Sequence, residues 1–96
     1  MTYLDFEWNA NKSRANKLKH GVSFEEARSA FYDENARLID DPDHSEEEER
    51  FILLGFSNQL RLLVVCHCYR HQDTVIRIIS ARKANGAEKR YYQEKL

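Results

Sequence analysis

The run Arg77-Ile78-Ile79-Ser80-Ala81-Arg82-Lys83-Ala84 combines the pattern of a buried strand with three cations. Its apolar residues, together with Ile76, predict a covered β-strand that ends at two adjacent positive charges. Because side chains alternate along a strand, we expect Arg77 and Arg82 to point to opposite faces of the sheet. Buried charges are costly without a partner, and a guanidinium matches the oxygens of a phosphate. The run therefore predicts an anion-binding strand end.

The segments that precede this run predict neighbouring strands. Residues 50–56 and 61–69 are strand-like, and short polar turns connect them to each other and to 74–80. Such turns indicate an antiparallel meander. Residues 61–69 are apolar on both faces in their middle, which is typical of a central strand. Two further strands are predicted at 3–8, where polar and apolar residues alternate, and at 36–41.

Capping signals mark the helices. Asn9 is the predicted N-cap of the first helix, and Gly21 lies where a left-handed C-cap belongs. Ser23 and Glu26 form a capping box that begins the second helix. The predicted helices cover residues 10–19, 24–32 and 87–95.

The chain has 96 residues and 42% hydrophobic content, enough for one domain over 1–96 and one small core. The element order is β-α-α-β-β-β-β-α. We expect an α+β fold with a mostly antiparallel sheet, helices packed on one face, and at least part of the other face open.

Charge is unevenly distributed along the chain. Residues 33–50 carry nine Asp or Glu and two Arg, whereas residues 51–96 carry eight Lys or Arg and three Asp or Glu. The net charge of −1 is therefore compatible with a polyanionic ligand for the basic C-terminal half. The acidic stretch lacks the spacing and the glycine of an EF-hand, and a solvated loop is the expected interpretation.

The sequence also predicts the cellular setting. It has no signal-peptide pattern and no apolar run near the ~18 residues that cross a bilayer, so we expect a cytoplasmic protein without membrane contact. Cys66 and Cys68 project to the same strand face and are expected to be free thiols. Their spacing with His67 and His71 does not fit common zinc sites, and we expect neither metal nor cofactor.

The candidate site residues are cations and one histidine. Cations at strand ends, loops and the last helix suit contacts with RNA phosphates. The alternative is that Arg77 pairs with a carboxylate of the sheet and the others are solvated. His20 is suited to acid–base chemistry, or to capping the first helix, because cations interact favourably with a helix C-terminus. The basic set comprises Arg61, Arg70, Arg77, Arg82, Lys83, Lys89 and Arg90.

Four strings in this chain resemble the BrnT family of toxins, in order and at appropriate spacing over residues 5–92. Two of them, Lys19-His20-Gly21-Val22-Ser23-Phe24 and Ile78-Ile79-Ser80-Ala81-Arg82, are specific enough to argue against chance similarity. The other two are Phe6-Glu7-Trp8 and Glu48-Glu49-Arg50-Phe51. The resemblance implies a RelE-like fold and the toxin of a type II toxin–antitoxin system.

The resemblance also implies an activity and partners. It implies a metal-independent endoribonuclease that cleaves RNA and inhibits translation. A BrnA-like ribbon-helix-helix antitoxin would neutralise it in a toxin–antitoxin heterotetramer, and operator DNA would be bound only through the antitoxin. The alternative is a non-catalytic module that binds RNA or antitoxin in operon autoregulation. The segment 85–87 favours that alternative, because the family usually has Thr or Ser and further basic residues there. A third possibility is a structural adaptor.

By motif position, the resemblance assigns roles to individual residues. Arg70 and Arg82 are the best matches to the arginines that matter for toxicity, followed by Arg77 and His20. Lys83 is a second acid–base candidate and an RNA contact. The remaining predicted RNA-binding residues are Arg61, Lys89 and Arg90.

Overall fold

The computed structural model describes residues 4–40, 49–94 and 96, so the acidic segment 41–48 lies outside the described residues. The α+β class and the predicted order of elements are confirmed. In chain order the elements are β1 (Asp5–Glu7), α1 (Ala10–His20), α2 (Phe24–Ala30), β2 (Arg37–Asp40), β3 (Phe51–Phe56), β4 (Leu62–Arg70), β5 (Val75–Lys83) and α3 (Gly86–Glu94).

The strands form one five-stranded sheet in the order β1-β5-β4-β3-β2. β1 runs parallel to β5, and the other pairs are antiparallel, which confirms the meander and the central place of β4. β1 pairs only with Val75, Ile76 and Arg77 of β5. Beyond Arg77, the outer edge of β5 therefore has no strand neighbour among the described residues.

The first two helices pack on one face of the sheet. Phe24 of α2 is fully buried in a cluster with Val65 and Ile78. The predicted caps are confirmed: the Asn9 side chain accepts a hydrogen bond from the third residue of α1, and Gly21 ends the helix with φ of 72°. These two caps confine α1 to a short span and set the tight connection into α2.

The third helix packs on the other face. Tyr92 of α3 is buried against Leu54 and Val64, which alternate along their strands with the core residues Leu53 and Val65. The expectation that the helices share one face thus holds for α1 and α2, whereas α3 departs from it. The physical reason is that β3 and β4 are apolar on both faces, so helices bury the apolar surface of each face. The helices in the described part of the chain have 11, 7 and 9 residues, and none of these is long and apolar enough to span a membrane.

β5 contains a β-bulge. Ile78 pairs with His67 and Ser80 pairs with Cys66, so Ile79 is an extra residue relative to β4. A bulge places two residues of one strand opposite one of its neighbour and shifts the alternation that follows.

The bulge changes where the arginines point. Arg77 pairs with Cys68 and Arg82 pairs with Val64, and both partners lie on the same face of β4. The prediction that Arg77 and Arg82 point to opposite faces is therefore wrong. The strand is also longer than predicted, since β5 extends through Lys83 and includes Arg82. Both arginines lie on the face opposite α1 and α2.

Candidate functional site

A basic groove of about 410 Å³ lies on the sheet face opposite α1 and α2. Its basic residues come from three distant parts of the chain: the end of α1, the start of β3 and the end of β5. They are His20, Arg50 and Arg82. The floor and walls consist of Ile52, Val64, Cys66, Ile79, Ser80 and Ala81. We call this the basic groove.

Asn16 holds α1 against the open edge of β5. Its side-chain amide donates to the carbonyl oxygen of Ala81 (2.8 Å), and its side-chain oxygen accepts from the Ala81 amide (3.1 Å). The same amide group donates to the carbonyl oxygen of Val22 (2.8 Å). The buried Asn16 thus takes the place of a neighbouring strand, which fixes His20, one helical turn later, beside the strand that carries Arg82.

Arg82 forms a bidentate ion pair within the chain. Its two terminal nitrogens donate to the two carboxylate oxygens of Glu88, each over 2.8 Å. The Glu88 carboxylate raises the pKa of Arg82, and Arg82 in turn holds the pKa of Glu88 below its usual value. Glu88 also completes a capping box with Asn85 at the start of α3. The pair orients Arg82 and offsets part of its charge.

Arg50 is a groove residue that the sequence analysis did not single out. Its Nε atom is buried and has no hydrogen-bond partner among the described residues. Strand alternation is the signal that could have identified it. Arg50 lies two residues before Ile52, so the two side chains share a face of β3. Cys66, the β4 partner of Ile52, also lines the groove. The structure therefore adds a second arginine beside His20 and Arg82.

Arg77 lies on the same face but outside the lining of the basic groove. Its guanidinium donates to Glu7 of β1 (2.6 Å), and His71 lies 3.4 Å from the same carboxylate. Arg77, the largest influence, and His71 hold the pKa of Glu7 below its usual value. Pairing with a sheet carboxylate is the alternative that the sequence left open for Arg77. Arg70 is exposed at the end of β4, opposite Val75.

The predicted RNA-binding residues gather elsewhere. Arg61, Lys83 and Lys89 line a second groove of about 560 Å³ beside Tyr92 of α3. Lys83 thus lines a different groove from His20, and its catalytic role remains a prediction. Arg90 is exposed on α3. The described residues thus form a second basic surface beside the basic groove, and the acid–base candidate His20 belongs to the basic groove.

Arg61 has a structural partner within its groove. Glu26, whose side chain is only 2% exposed, accepts hydrogen bonds from both Nε and Nη2 of Arg61, and the Ser57 hydroxyl donates to it (2.7 Å). Arg61 also donates to the carbonyl oxygen of Gly21 (2.9 Å). The hydrogen bond from Arg61 is the largest influence that lowers the pKa of Glu26. These contacts tie the start of α2 to the turn before β4.

Two further titratable side chains, those of His67 and Tyr92, are buried, and burial shifts their pKa values. His67 is fully buried among aromatic rings, and this burial lowers its pKa. Burial and a hydrogen bond to Asp33 raise the pKa of Tyr92 to about 12. Within 4–40, 49–94 and 96, no group of three or more His, Cys, Asp or Glu is placed to hold a metal ion. Among the described residues, the basic groove brings one histidine and two arginines together.

The chain is similar to proteins of a known family. A family model described as the ribonuclease toxin BrnT of type II toxin–antitoxin systems matches residues 8–88. The crystal structure of the Brucella abortus ribonuclease toxin BrnT matches with a TM-score of 0.63 and 21% identity, and covers 86% of this chain and 99% of that one. At this identity the likeness shows the fold. Comparison with curated proteins gave no match. Since the family model spans most of the sequence, the chain belongs to the BrnT family of ribonuclease toxins.

Proposed function

We propose that this BrnT-family protein is a metal-independent endoribonuclease of the cytoplasm that cuts RNA in the basic groove and so inhibits translation. The observation that carries the proposal is the meeting of His20, Arg50 and Arg82 in one groove. Two guanidinium groups supply the donors and positive charge that a phosphate needs, and an imidazole is the side chain best suited to proton transfer near neutral pH. The groove thus holds the groups that cleavage requires.

The reaction uses groups of the RNA, groups of the groove and a water molecule. The 2′-oxygen bonds to the adjacent phosphorus as its proton leaves, and the bond from phosphorus to the 5′-oxygen breaks as that oxygen gains a proton. In this proposal Arg82 and Arg50 stabilise the negative charge that develops on the phosphate oxygens. His20 carries one of the two proton transfers and water carries the other.

The ion pair with Glu88 favours a second candidate. Because Arg82 already binds a carboxylate, its capacity to stabilise an extra charge is reduced. A non-catalytic module that binds RNA or antitoxin in operon autoregulation would use the same groove without cutting.

Incubation of the purified protein with labelled RNA in EDTA separates the two candidates. Cleavage products that arise in EDTA, and that disappear with the His20→Ala variant, support the metal-independent enzyme. Intact RNA with retarded mobility supports the binding module. RNA that is neither cut nor retarded by a folded protein overturns both.

The family implies an antitoxin partner, and we propose its form. A BrnA-like ribbon-helix-helix antitoxin covers the basic groove, the two proteins form a heterotetramer, and operator DNA is bound through the antitoxin. Acidic side chains of such a partner would complement Arg50 and Arg82. Co-purification with the product of the neighbouring reading frame, followed by light scattering and the RNA assay, tests this. Cleavage that persists in the purified complex would contradict a covered groove.

A further inference from the structure

An apolar groove of about 390 Å³ lies between α3 and the sheet, next to the basic groove. Its floor is formed by side chains of β3 and β4, and its walls come from the first turns of α3 and from β2 at the sheet edge. Asn85 and Glu88 are its polar members, and both already serve the N-terminus of α3. The apolar members are Ile39, Ile52, Leu54, Val64, Ala87 and Tyr91.

The two grooves share a floor. Ile52 and Val64 line both of them. The ion pair marks their boundary, since Arg82 lines the basic groove and Glu88 lines the apolar one. A ligand that fills both grooves would therefore carry an anionic group directly beside an apolar group. A nucleotide of single-stranded RNA carries both, in its phosphate and its base.

Tyr91 presents an aromatic ring to the apolar groove. The adjacent Tyr92 is 3% exposed and anchors α3, whereas Tyr91 is 40% exposed. Successive helix positions differ in direction by about 100°, so one helix can anchor itself with one ring and offer the next to a ligand. Aromatic rings beside a cationic groove are the usual platform on which proteins stack single-stranded bases.

We propose that the apolar groove is a nucleobase subsite, in which a base of the RNA stacks on Tyr91 while its phosphate lies between Arg50 and Arg82. This inference rests on the proposed function, because it takes the phosphate to lie in the basic groove. Its floor is apolar and its polar groups are engaged, so stacking rather than hydrogen bonding provides the affinity. The subsite accepts bases broadly and prefers those that stack best.

The test measures binding of a single-stranded 2′-O-methyl RNA, which lacks the attacking hydroxyl, by fluorescence anisotropy at several salt concentrations. The variants are Tyr91→Ala, Tyr91→Phe and the control Tyr32→Ala, which removes an exposed tyrosine outside the groove. We expect Tyr91→Ala to raise Kd about tenfold and Tyr91→Phe to change it less than about twofold. The dependence of log Kd on log salt should not change, because no phosphate contact is lost.

A second variant changes the same wall of the groove, one helical turn before Tyr91. Ala87 is exposed there, and Ala87→Phe fills the space that the base needs. We expect a loss of affinity similar to that of Tyr91→Ala, at a wild-type melting temperature. This variant keeps the proposal testable if Tyr91→Ala is poorly folded.

The outcomes separate this inference from the proposed function. If the wild-type protein fails to bind RNA, this result contradicts the proposed function and overturns the subsite as well. RNA binding that is the same in wild type, Tyr91→Ala and Ala87→Phe overturns the subsite alone. If these variants bind RNA normally but no longer bind the antitoxin, the groove is a protein-binding surface and the subsite is also overturned.

Discussion

The guanidinium of Arg82 and the carboxylate of Glu88 join β5 to α3 through two parallel hydrogen bonds of 2.8 Å. Arg82 lines the basic groove and is the main candidate there for binding a phosphate. It already pairs with a carboxylate of its own chain. The Arg82 side chain remains 43% exposed. A phosphate in the groove can therefore reach Arg82, but it competes with Glu88 for the same charge.

This competition predicts the effect of Glu88→Gln. The amide oxygen can still accept from Asn85, so the cap of α3 is kept, while the competing negative charge is lost. We expect RNA to bind about fivefold more tightly at low salt, a gain of ~1 kcal/mol. The gain should shrink as salt rises, because the pair is partly exposed.

Glu94→Gln is the matched control, since Glu94 is exposed at the other end of α3. Both variants raise the net charge by one, so equal effects on RNA affinity would show that only the overall charge matters. Weaker RNA binding by Glu88→Gln would show that the pair positions Arg82 rather than competes for it.

Glu26→Gln tests the buried ion pair with Arg61. Arg61, as the main influence, holds the pKa of Glu26 below its usual value, so the pair stabilises the fold above the unfolded-state pKa near 4.5 and is lost as pH falls. We expect Glu26→Gln to lower the free energy of unfolding by about 2–3 kcal/mol at pH 7, because Arg61 keeps its charge without its partner. Urea denaturation measures this, with the exposed Glu25→Gln as control. Equal stability of the two variants would contradict a structural role for the pair.

His67 predicts acid sensitivity of the fold. Its Nδ1 donates to the carbonyl oxygen of Val65 (3.2 Å), and its buried Nε2 has no partner among the described residues. The rings of Phe31, Phe51 and Tyr69 surround it. Burial lowers the pKa of His67, so the unfolded chain binds a proton below pH ~6.5 that the folded chain excludes. Stability should then fall by up to ~1.4 kcal/mol per pH unit below that pH.

The measurement compares urea unfolding at pH 7.0 and pH 5.5. Wild type should lose stability over this interval, whereas His67→Leu should lose less. An unchanged pH dependence in His67→Leu would place the acid sensitivity in another group.

The fold was largely predictable because its signals are local. Asn9, Gly21 and Ser23 mark the helix boundaries through their own backbone and side-chain chemistry, and all three cap positions are confirmed. The other half of the predicted capping box is not observed, because the Glu26 carboxylate pairs with Arg61. The bulge at Ile79 was not predictable, because an extra residue in one strand is set by how β5 pairs with β4 and leaves no pattern in the sequence. That one residue is why Arg77 shares a face with Arg82.

The basic groove was predictable in part. His20 stood out because a histidine at a helix end is suited to acid–base chemistry, and Arg82 because it follows the buried run of a strand. Arg50 did not stand out, because its importance comes from the pairing of β3 with β4, which brings it to the same face. The partners Glu7, Glu26 and Glu88 were missed for the same reason, since each pair of charges is made by tertiary contacts.

The initial rate of RNA cleavage by Arg82→Ala, compared with wild type and with Arg14→Ala, tests the assignment of the basic groove. Arg14 is an exposed arginine of α1 that does not line the groove, so its loss removes the same charge elsewhere. All three proteins should show the same circular dichroism spectrum. We expect Arg82→Ala to be slower by about 10²- to 10³-fold and Arg14→Ala to cut RNA within about twofold of wild type. A folded Arg82→Ala protein that cuts RNA as fast as wild type would contradict cleavage in this groove.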